Sequence, residues 1–591
     1  MGRFGRLAAL AAALASAMPA QAADLSPARW PDAERIALER SEASVFPAGM
    51  RIVEGRAGFV SATASPVAVH AGIEALRQGG TAADAAVATA LTQIAMMGQA
   101  NVSYAGIAQL LYYDARTKRV YALDAGWNGW RGETAPATIP DPDLSMITGR
   151  APAPVAAGAA GRKTLVPGFM AGMAAMHERF GRLPFADLFA PAIHYADRGV
   201  PVTPLLRAYF DLAGPALSRT EAGRRFLAGR RPDGRFAPAG LGAFLRGAAR
   251  DGARFVYRGA WAQDFVGAVR AAGGAASRAD MAAYRVRWET PLRLSFRGVS
   301  VFAPAATSGG GCAPLEALNL LDHAPEPAAA PYWQDARAFR TLALSLRIAG
   351  VSAYAPEVSA FERAHRIGGT CQARLSPSYG AAVAGDFDTL VRTEAASPVG
   401  HHSASVVAVD RWGNVAALVH TSNTPLWGDT GLFVDGVAIP APAGVNRPRL
   451  EAIAPGARVP NDMAPLIVLR GGRPALAVAA IGTSLMQETV RLVAGLLGPA
   501  GDLETNLRAP PLLLDLDHIG APLAGRFEPV PEGAYAPALV DALRRLGIAV
   551  QPVPAARILT LRGTAALARF DPGGGARGAE IPGILVFDDG R

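Results

Sequence analysis

Two short apolar segments joined by a polar turn constrain the fold of this chain more than any other feature. The segments are residues 403–409 and 415–421, and the turn between them is Asp410-Arg411-Trp412-Gly413-Asn414. Runs rich in Val on either side of an Asp, Gly and Asn turn predict a β-hairpin. The first segment is apolar at nearly every position, which indicates a strand covered on both faces. The sequence therefore predicts a sheet that lies inside a layered structure.

The hairpin opens with Ser403 and ends in Thr421-Ser422-Asn423. This pattern resembles the γ-glutamyltransferase (γ-glutamyltranspeptidase) family of N-terminal-nucleophile hydrolases, in which a threonine starts the first strand and the second ends in T-x-N. The ungapped alignment places Ser403 at the position of the catalytic threonine. The resemblance implies that the precursor cuts itself between His402 and Ser403. The positions that match are Asp410, Gly413, Asn414, Thr421 and Asn423.

The chemistry of an N-terminal serine is intelligible without the family. A serine hydroxyl is a weak nucleophile unless a base lies beside it, and an N-terminal amine is a base carried by the same residue. The unperturbed pKa of that amine, about 7.7–8.0, lies close to working pH, so no distant His or Asp is required. The alternative interpretation is that Ser403 only begins a core strand.

A second motif, Ile481-Gly482-Thr483-Ser484, precedes a helix predicted over residues 486–497. The Gly-Gly oxyanion loop of the family falls on Gly482 and Thr483. Acyl transfer needs backbone N–H groups that point at the developing oxyanion, and the start of a helix adds a favourable dipole. The resemblance therefore implies a catalytic set of Ser403, Thr421, Asn423, Gly482 and Thr483.

The positions that hold an α-amino acid donor in the family are altered here. The arginine position falls on Gly132, one residue after Arg131, whose guanidinium could bind a carboxylate or lie on the surface. The acidic position falls near Ile439, and Asp435 is a displaced substitute. Both Arg131 and Asp435 are predicted to bind substrate.

The segment Arg458-Val459-Pro460-Asn461-Asp462-Met463 resembles the R-x-P-S-S-M motif of the family. Asn461 and Asp462 replace two serines that touch the donor carboxylate. An aspartate would repel a carboxylate and attract an ammonium group. These two residues are predicted to bind substrate, with the donor held differently from a γ-glutamyl group.

The resemblance implies an α/β (α+β) fold, a four-layer α/β/β/α sandwich of the N-terminal-nucleophile hydrolase type. Residues 24–402 would form a large subunit and residues 403–591 a small subunit that carries the nucleophile. Residues 502–591 are predicted to alternate strands with one helix, 537–546. The resemblance is strongest at residues 64–91, 166–193, 279–292, 403–423 and 458–465.

Residues 1–23 have the pattern of a secretory signal peptide, with Arg3 and Arg6, an Ala- and Leu-rich stretch and the small-residue site Ala20-Gln21-Ala22. The apolar run is too short to span a bilayer. We therefore expect a periplasmic or secreted protein without a membrane anchor. The net charge is +9, but the arginines are scattered without a basic run, so no nucleic-acid partner is expected.

The chain has two cysteines, Cys312 and Cys371, which are predicted either to pair or to stay as buried thiols. No zinc-like spacing of His and Cys occurs, and the pair His401-His402 cannot close a metal site. We therefore predict no metal and no organic cofactor.

Together these features predict a self-processing enzyme that transfers or hydrolyses an amide-linked acyl group through a Ser403 acyl-enzyme. Its partners are a small-molecule amide or γ-glutamyl donor and water or an amine as acceptor. Two alternatives stay open: an acylase for a different amide, and a binding protein that kept the fold and lost catalysis.

Overall fold

Two seven-stranded antiparallel sheets lie face to face between layers of helices in the computed structural model of the protein. The structure describes residues 22–42, 51–142, 158–326, 329–353, 355–390, 403–424, 426–498, 501–515, 528–571, 575–580 and 585–588. The strands are β1 (Arg51–Gly55), β2 (Phe59–Ala62), β3 (Ile107–Asp114), β4 (Arg119–Ala125), β5 (Val200–Pro201), β6 (Arg235–Phe236), β7 (Arg287–Glu289), β8 (Leu292–Phe296), β9 (Val299–Ala303), β10 (Ala404–Val409), β11 (Val415–Thr421), β12 (Phe433–Val434), β13 (Val437–Ala438), β14 (Leu466–Arg470), β15 (Arg473–Gly482), β16 (Glu528–Pro531), β17 (Val550–Val553), β18 (Gly563–Phe570), β19 (Ala576–Glu580) and β20 (Leu585–Asp588).

Most of the helices come from the first two thirds of the chain. They are α1 (Asp32–Glu42), α2 (Pro66–Arg77), α3 (Ala82–Met96), α4 (Phe169–Phe180), α5 (Ala190–Arg198), α6 (Pro204–Leu217), α7 (Glu221–Leu227), α8 (Leu241–Asp251), α9 (Ala253–Arg258), α10 (Ala260–Ala271), α11 (Arg278–Ala283), α12 (Cys312–Asp322), α13 (Ala336–Val351), α14 (Pro356–Ala364), α15 (Cys371–Arg374), α16 (Pro377–Ala384), α17 (Phe387–Leu390), α18 (Arg447–Glu451), α19 (Leu485–Leu496), α20 (Leu503–Arg508), α21 (Pro537–Arg545) and α22 (Ala555–Leu561).

Sheet one has the strand order β1-β19-β18-β15-β14-β9-β8, and sheet two has the order β20-β2-β10-β11-β3-β4-β7. Helices α12 and α19 pack on the outer face of sheet one, and α3 and α4 pack on the outer face of sheet two. The predicted four-layer α/β/β/α sandwich is therefore confirmed. Each sheet contains strands from both predicted subunits, so neither segment completes a sheet alone.

The predicted hairpin is β10 and β11, and every residue of both strands is buried. Side chains of β10 alternate between two apolar clusters, because successive residues of a strand point to opposite faces. Val407 and Val409 pack in the cluster that fills the space between the sheets. Ala404, Val406 and Ala408 pack against the helices outside sheet two. This two-sided burial explains why the segment is apolar at nearly every position.

The two cysteines form a disulfide that joins α12 to α15, with a Cα–Cα distance of 5.8 Å between Cys312 and Cys371. Of the two alternatives that the sequence left open, the structure has the pair. Within the described ranges, no helix combines the length and the apolar character needed to cross a membrane.

The carboxyl-terminal part differs from the prediction of strands with one helix. Besides α21, it contains the short helices α20 and α22. Each has six or seven residues, which is too short to show a 3.6-residue period in the sequence.

Candidate active site

Ser403 lies directly before β10, and it is 8% exposed. The register pairs Ala404 with His420, so Ser403 lies opposite Thr421 at the end of β11. Ser403 shares a strand face with Ser405, two residues further on. The Ser405 hydroxyl donates a hydrogen bond of 2.7 Å to the Ala479 carbonyl in β15 of the opposite sheet. Ser403 therefore belongs to the face of sheet two that looks towards sheet one.

Two contacts across the sandwich fix the relative direction of β10 and β15. Ser405 meets Ala479, as described, and Ser61 accepts a hydrogen bond of 3.1 Å from the Leu567 backbone N–H. Ser61 pairs with Val407, and Leu567 pairs with Val478. Moving forward along β10 therefore corresponds to moving backward along β15. The beginning of β10 and the end of β15 consequently lie at the same edge of the sandwich, which brings Ser403 towards Gly482.

The turn after β15 is held by three specific features. Gly482 has φ +93°, and an added Cβ would lie 2.7 Å from the Arg562 carbonyl oxygen. The Thr483 hydroxyl donates a 2.7 Å hydrogen bond to the Thr560 carbonyl, and the Ser484 hydroxyl donates to the Leu561 carbonyl. Helix α19 begins at the next residue. With the Thr483 hydroxyl engaged, the backbone N–H groups are the donors that this turn has for an oxyanion.

Thr421 and Asn423 form a compact turn next to Ser403. The Thr421 hydroxyl accepts a hydrogen bond of 2.9 Å from the Asn423 backbone N–H. Asn423 has φ +53°, a left-handed conformation that asparagine tolerates better than most residues. The five residues predicted to be catalytic thus lie at one edge of the sandwich. His402, on the other side of the predicted cleavage site, lies outside the described residues.

Asn461 lies on the same edge, two strands beyond Thr421. Thr421 pairs with Ile107 of β3, and the β3–β4 register continues this row to Gly126. An added Cβ on Gly126 would lie 3.3 Å from the Asn461 side-chain nitrogen, Nδ2. Asn461 is 4% exposed, and its Nδ2 has no hydrogen-bond partner among the described residues. A buried donor of this kind is available to a substrate oxygen.

Asp462 forms a salt bridge with Arg449 of α18, with 2.5 Å between the Asp462 Oδ1 and the Arg449 Nη2. Arg449 could not be predicted as part of this site, because its helix is short and carries no motif, and only the folded chain brings it to Asp462. The pair neutralises the carboxylate that was predicted either to repel a carboxylate or to hold an ammonium group. Whatever binds here meets an ion pair rather than a single negative charge.

Arg131 and Asp435 lie in other parts of the protein. The Arg131 side chain is 61% exposed and faces Asp280, with 3.4 Å between its Nη1 and the Asp280 Oδ1. Asp435 is in the turn between β12 and β13, and its backbone lies against Gly240. Burial raises the pKa of Asp435, and the nearby Asp264 raises that pKa further. Their substrate-binding roles stay predictions that no contact to the Ser403 edge supports.

A cavity of about 330 Å³ adjoins the turn after β15. Asn461, Asp462 and Thr483 are part of its wall, together with the first residues of α19. Residues of α12 and α13 form the opposite wall. A space of this volume next to the candidate oxyanion donors is within the range of small-molecule sites. In the described part of the chain, no group of three or more His, Cys, Asp or Glu side chains is placed to hold a metal ion.

A buried ion pair between Arg458 and Asp124 lies beside Asn461 at this edge. Arg458 lies 2.7 Å from the Asp124 carboxylate, and the Asp124 Oδ1 accepts a 2.8 Å hydrogen bond from the Gly126 N–H. Arg458 also donates to the Asn128 side chain at 2.7 Å and to the Arg285 carbonyl at 2.6 Å. Burial raises the pKa of Asp124, and the charge of Arg458 opposes that rise.

Replacing Arg458 with leucine is expected to lower the free energy of unfolding by about 3–5 kcal/mol, because Asp124 would stay buried without its partner. Urea unfolding measures the change. The control is Arg508→Leu, which breaks a pair with Glu504 whose side chains are 59% and 51% exposed. That exposed pair is expected to contribute less than about 1 kcal/mol. Equal losses in the two variants would contradict the assigned role of Arg458.

His420 lies on β11, opposite Ala404 of β10, with its Nε2 2.9 Å from the Gln93 Oε1. Complete burial lowers the pKa of His420 to about 3. In the unfolded chain the pKa of a histidine is about 6.5. Between these values the unfolded state binds more protons, so acid lowers the free energy of unfolding.

We expect this group to remove about 2–3 kcal/mol of stability between pH 7 and pH 4.5. His420→Gln is expected to abolish that part of the pH dependence in urea unfolding measurements. The exposed His365 provides the control, and His365→Gln is expected to retain the wild-type dependence. A His420→Gln variant with the wild-type dependence on pH would show that the buried ring is not its source.

A sandwich of two antiparallel sheets, with a hydroxyl residue at the start of a buried central strand and a glycine turn at the end of the facing strand, defines the class of N-terminal-nucleophile hydrolases. The family model described as "Gamma-glutamyltranspeptidase" matches residues 68–554. The chain belongs to the γ-glutamyltranspeptidase family.

Curated relatives include enzymes with different names. The chain is 28% identical over 482 residues to the Acylase ACY 1 proenzyme of Pseudomonas sp. (strain SE83), covering 77% of this chain and 82% of the relative. It is 28% identical over 445 residues to the Glutathione hydrolase proenzyme of Pseudomonas aeruginosa, covering 69% and 74%. The cephalosporin acylase structure from Bacillus halodurans matches with a TM-score of 0.73 at 20% identity, covering 92% of this chain and 97% of that one. This structural likeness concerns the fold.

Proposed function

We propose that the protein is made as a precursor, cuts itself before Ser403, and then uses Ser403 to transfer or hydrolyse an amide-linked acyl group. The observation that carries the proposal is the placement of Ser403 at the start of a buried strand, at the same edge as the Gly482 turn. Membership of the γ-glutamyltranspeptidase family supports it. The two Pseudomonas relatives are both named proenzymes.

In the proposed reaction the Ser403 Oγ attacks the amide carbonyl carbon, and the free α-amine of Ser403 takes the hydroxyl proton. The carbonyl oxygen becomes an oxyanion that backbone N–H groups of the Gly482 and Thr483 turn stabilise. The C–N bond then breaks, and the leaving amine takes the proton from the α-amine. Water or an acceptor amine attacks the resulting ester and releases the acyl group, which regenerates Ser403.

The Ser403 hydroxyl also accounts for the proposed self-cleavage, in which the Ser403 nitrogen is still part of the peptide bond and does not act as the base. Attack of the Ser403 hydroxyl on the His402 carbonyl carbon moves the acyl bond from nitrogen to oxygen, and water hydrolyses the ester. The products are a carboxyl end at His402 and a free amine on Ser403, in the large subunit 24–402 and the small subunit 403–591.

Two donors are candidates. A γ-glutamyl amide is the first, on the strength of the family. An acylase substrate without an α-amino acid head is the second, and the placement of Arg131 and the Arg449–Asp462 pair favour it. A γ-glutamyl head needs a cation for its carboxylate and an anion for its ammonium group. Here the cation Arg131 already faces Asp280, and the anion Asp462 is already paired with Arg449.

We also propose export to the periplasm or the medium. The signal-like residues 1–23 motivate this, and the Cys312–Cys371 disulfide agrees with an oxidising compartment. Export predicts a chain that begins near residue 24 in a periplasmic extract, which amino-terminal sequencing checks.

Covalent trapping tests the mechanism. The purified protein is mixed with γ-glutamyl p-nitroanilide or with an acyl p-nitroanilide, quenched in acid within milliseconds and mapped by peptide mass spectrometry. We expect the mass of the acyl group on the peptide that begins at Ser403. Ser405→Ala is the matched control, because Ser405 lies on the same strand face and is expected to leave the label in place. Labelling of another residue, or none with any donor, would refute Ser403 as nucleophile and favour the non-catalytic alternative.

A further inference from the structure

The cavity next to Thr483 has walls that are mostly apolar. Three helices contribute them: α12 and α13 on one side and the start of α19 on the other. The lining side chains that matter here are Ala313, Pro314, Leu346, Ala349, Leu485 and Met486. Contact with such groups favours a ligand that leaves water for an apolar surface, at about 25 cal/mol per Å² of apolar area buried.

Each charged side chain that lines the cavity has an interaction partner in the structure. Arg449 pairs with Asp462, and Arg347 pairs with Glu528 across the cavity wall. Arg374 lies 2.9 Å from the Glu362 carboxylate. Glu316 accepts hydrogen bonds from the Ser352 hydroxyl at 2.6 Å and from the Tyr379 hydroxyl at 3.0 Å. Asp515, the remaining charged residue of the wall, is buried and also has an interaction partner.

A zwitterionic head group would have to separate one of these pairs or stay unpaired in a largely apolar space. Burying a charge without a partner is costly, and breaking the Arg347–Glu528 or the Arg374–Glu362 pair, whose side chains are at most 11% exposed, leaves a second charge uncompensated. An uncharged apolar group meets neither cost. The arrangement of charge in the cavity therefore complements a neutral ligand.

The position of the cavity indicates which part of the donor it holds. The carbonyl oxygen occupies the oxyanion site formed at Gly482 and Thr483, and Thr483 is also part of the cavity wall. The acyl group stays on the enzyme through both half-reactions, whereas the amine leaves and water or an acceptor replaces it. A space beside the oxyanion site suits the part that stays.

We propose that this cavity is an acyl pocket and that the enzyme acts on amides of neutral, apolar carboxylic acids, such as medium-length alkanoyl or arylalkanoyl amides. The inference rests on the proposed Ser403 chemistry. The amide C–N bond breaks, an ester to the Ser403 Oγ forms, and hydrolysis of the ester releases the apolar acid and regenerates the hydroxyl.

A series of p-nitroanilides with the same leaving group tests the inference: acetyl, butyryl, hexanoyl, octanoyl, phenylacetyl and γ-glutamyl. We expect kcat/KM to rise by about fourfold per added methylene until the cavity is full. The best neutral donor is expected to exceed γ-glutamyl p-nitroanilide by at least about tenfold.

Two substitutions with opposite effects on volume locate the pocket. Ala313→Leu fills space and is expected to move the best chain length down by one or two methylenes, whereas Met486→Ala adds space and is expected to move it up. Loss of folding cannot produce shifts in opposite directions. Ala382→Leu, on α16 and outside the cavity wall, is the control and is expected to keep the wild-type profile.

The outcomes separate the inference from the proposed function. A profile that does not depend on chain length, a best activity with the γ-glutamyl donor, or identical profiles in the two cavity variants would overturn the acyl pocket. If turnover in those cases is still lost in Ser403→Ala, the Ser403 mechanism stands. If the wild type hydrolyses none of the anilides and Ser403 is never labelled, the proposed function fails and the acyl pocket fails with it.

Discussion

Ser403→Ala is expected to lower kcat/KM for amide hydrolysis by at least about 10⁴-fold, because the substitution removes the atom that forms the acyl-enzyme in the proposed mechanism. Ser405, the next hydroxyl on the same strand face, does not take its place, because it donates to the Ala479 carbonyl of the opposite sheet. Steady-state kinetics with the best p-nitroanilide measures the loss.

Two further variants separate nucleophile loss from blocked processing. Co-expression of residues 24–402 with a separate chain that begins at position 403 provides a cleaved protein, either with the native serine or with the Ser403→Ala substitution. Ser403→Thr keeps a hydroxyl at the position, and we expect it to retain activity within about tenfold of wild type. If the cleaved Ser403→Ala protein kept more than about one hundredth of the wild-type activity, the assignment would be contradicted.

Gly482→Ala is expected to lower kcat by about two to three powers of ten, the usual cost of losing one oxyanion donor. Gly482 has φ +93°, where a side chain is strained, and a Cβ would stand 2.7 Å from the Arg562 carbonyl oxygen. Because that atom belongs to the backbone, the turn itself must move, and the N–H groups of residues 482 and 483 move with it. Kinetics with the acyl p-nitroanilide measure kcat and KM separately.

Gly472→Ala is the matched control for this substitution. Gly472 lies just before the opposite end of the same strand, has φ +78°, and has no atom within 4 Å of an added Cβ. It carries similar backbone strain without a collision, so we expect a stability loss of about 1 kcal/mol and an unchanged kcat. A normal kcat in Gly482→Ala, or an equal loss in both variants, would remove the Gly482 turn from the catalytic step.

Local sequence signals were sufficient for the elements that carry the residues predicted to be catalytic. The hairpin of β10 and β11 follows from Val-rich runs around a turn in which Gly413 has φ +82°. Thr81 caps the start of α3, with a capping box to Asp84. The helix predicted at 486–497 is α19, displaced by one residue. Short-range patterns of this kind do not depend on the rest of the chain.

The surroundings of the substrate site could not be predicted in the same way, because they depend on contacts between distant segments. Asp462 pairs with Arg449 of the short helix α18, and Arg131 faces Asp280 rather than the cavity. The cavity itself needs α19 to pack opposite α12 and α13, which lie more than a hundred residues earlier in the chain. The sequence predicts that the residues around the donor differ from those of the family. The ion-pair partners of Asp462 and Arg131 become visible only in the folded chain.

Intact mass spectrometry of the purified protein tests the central claim, that Ser403 becomes an amino terminus. We expect the wild type to separate into two chains, the smaller with the mass of residues 403–591 and an amino-terminal serine, and Ser403→Ala to stay a single chain. A wild type that remains one uncut chain while it hydrolyses amides, or a cut at another residue, would contradict the account.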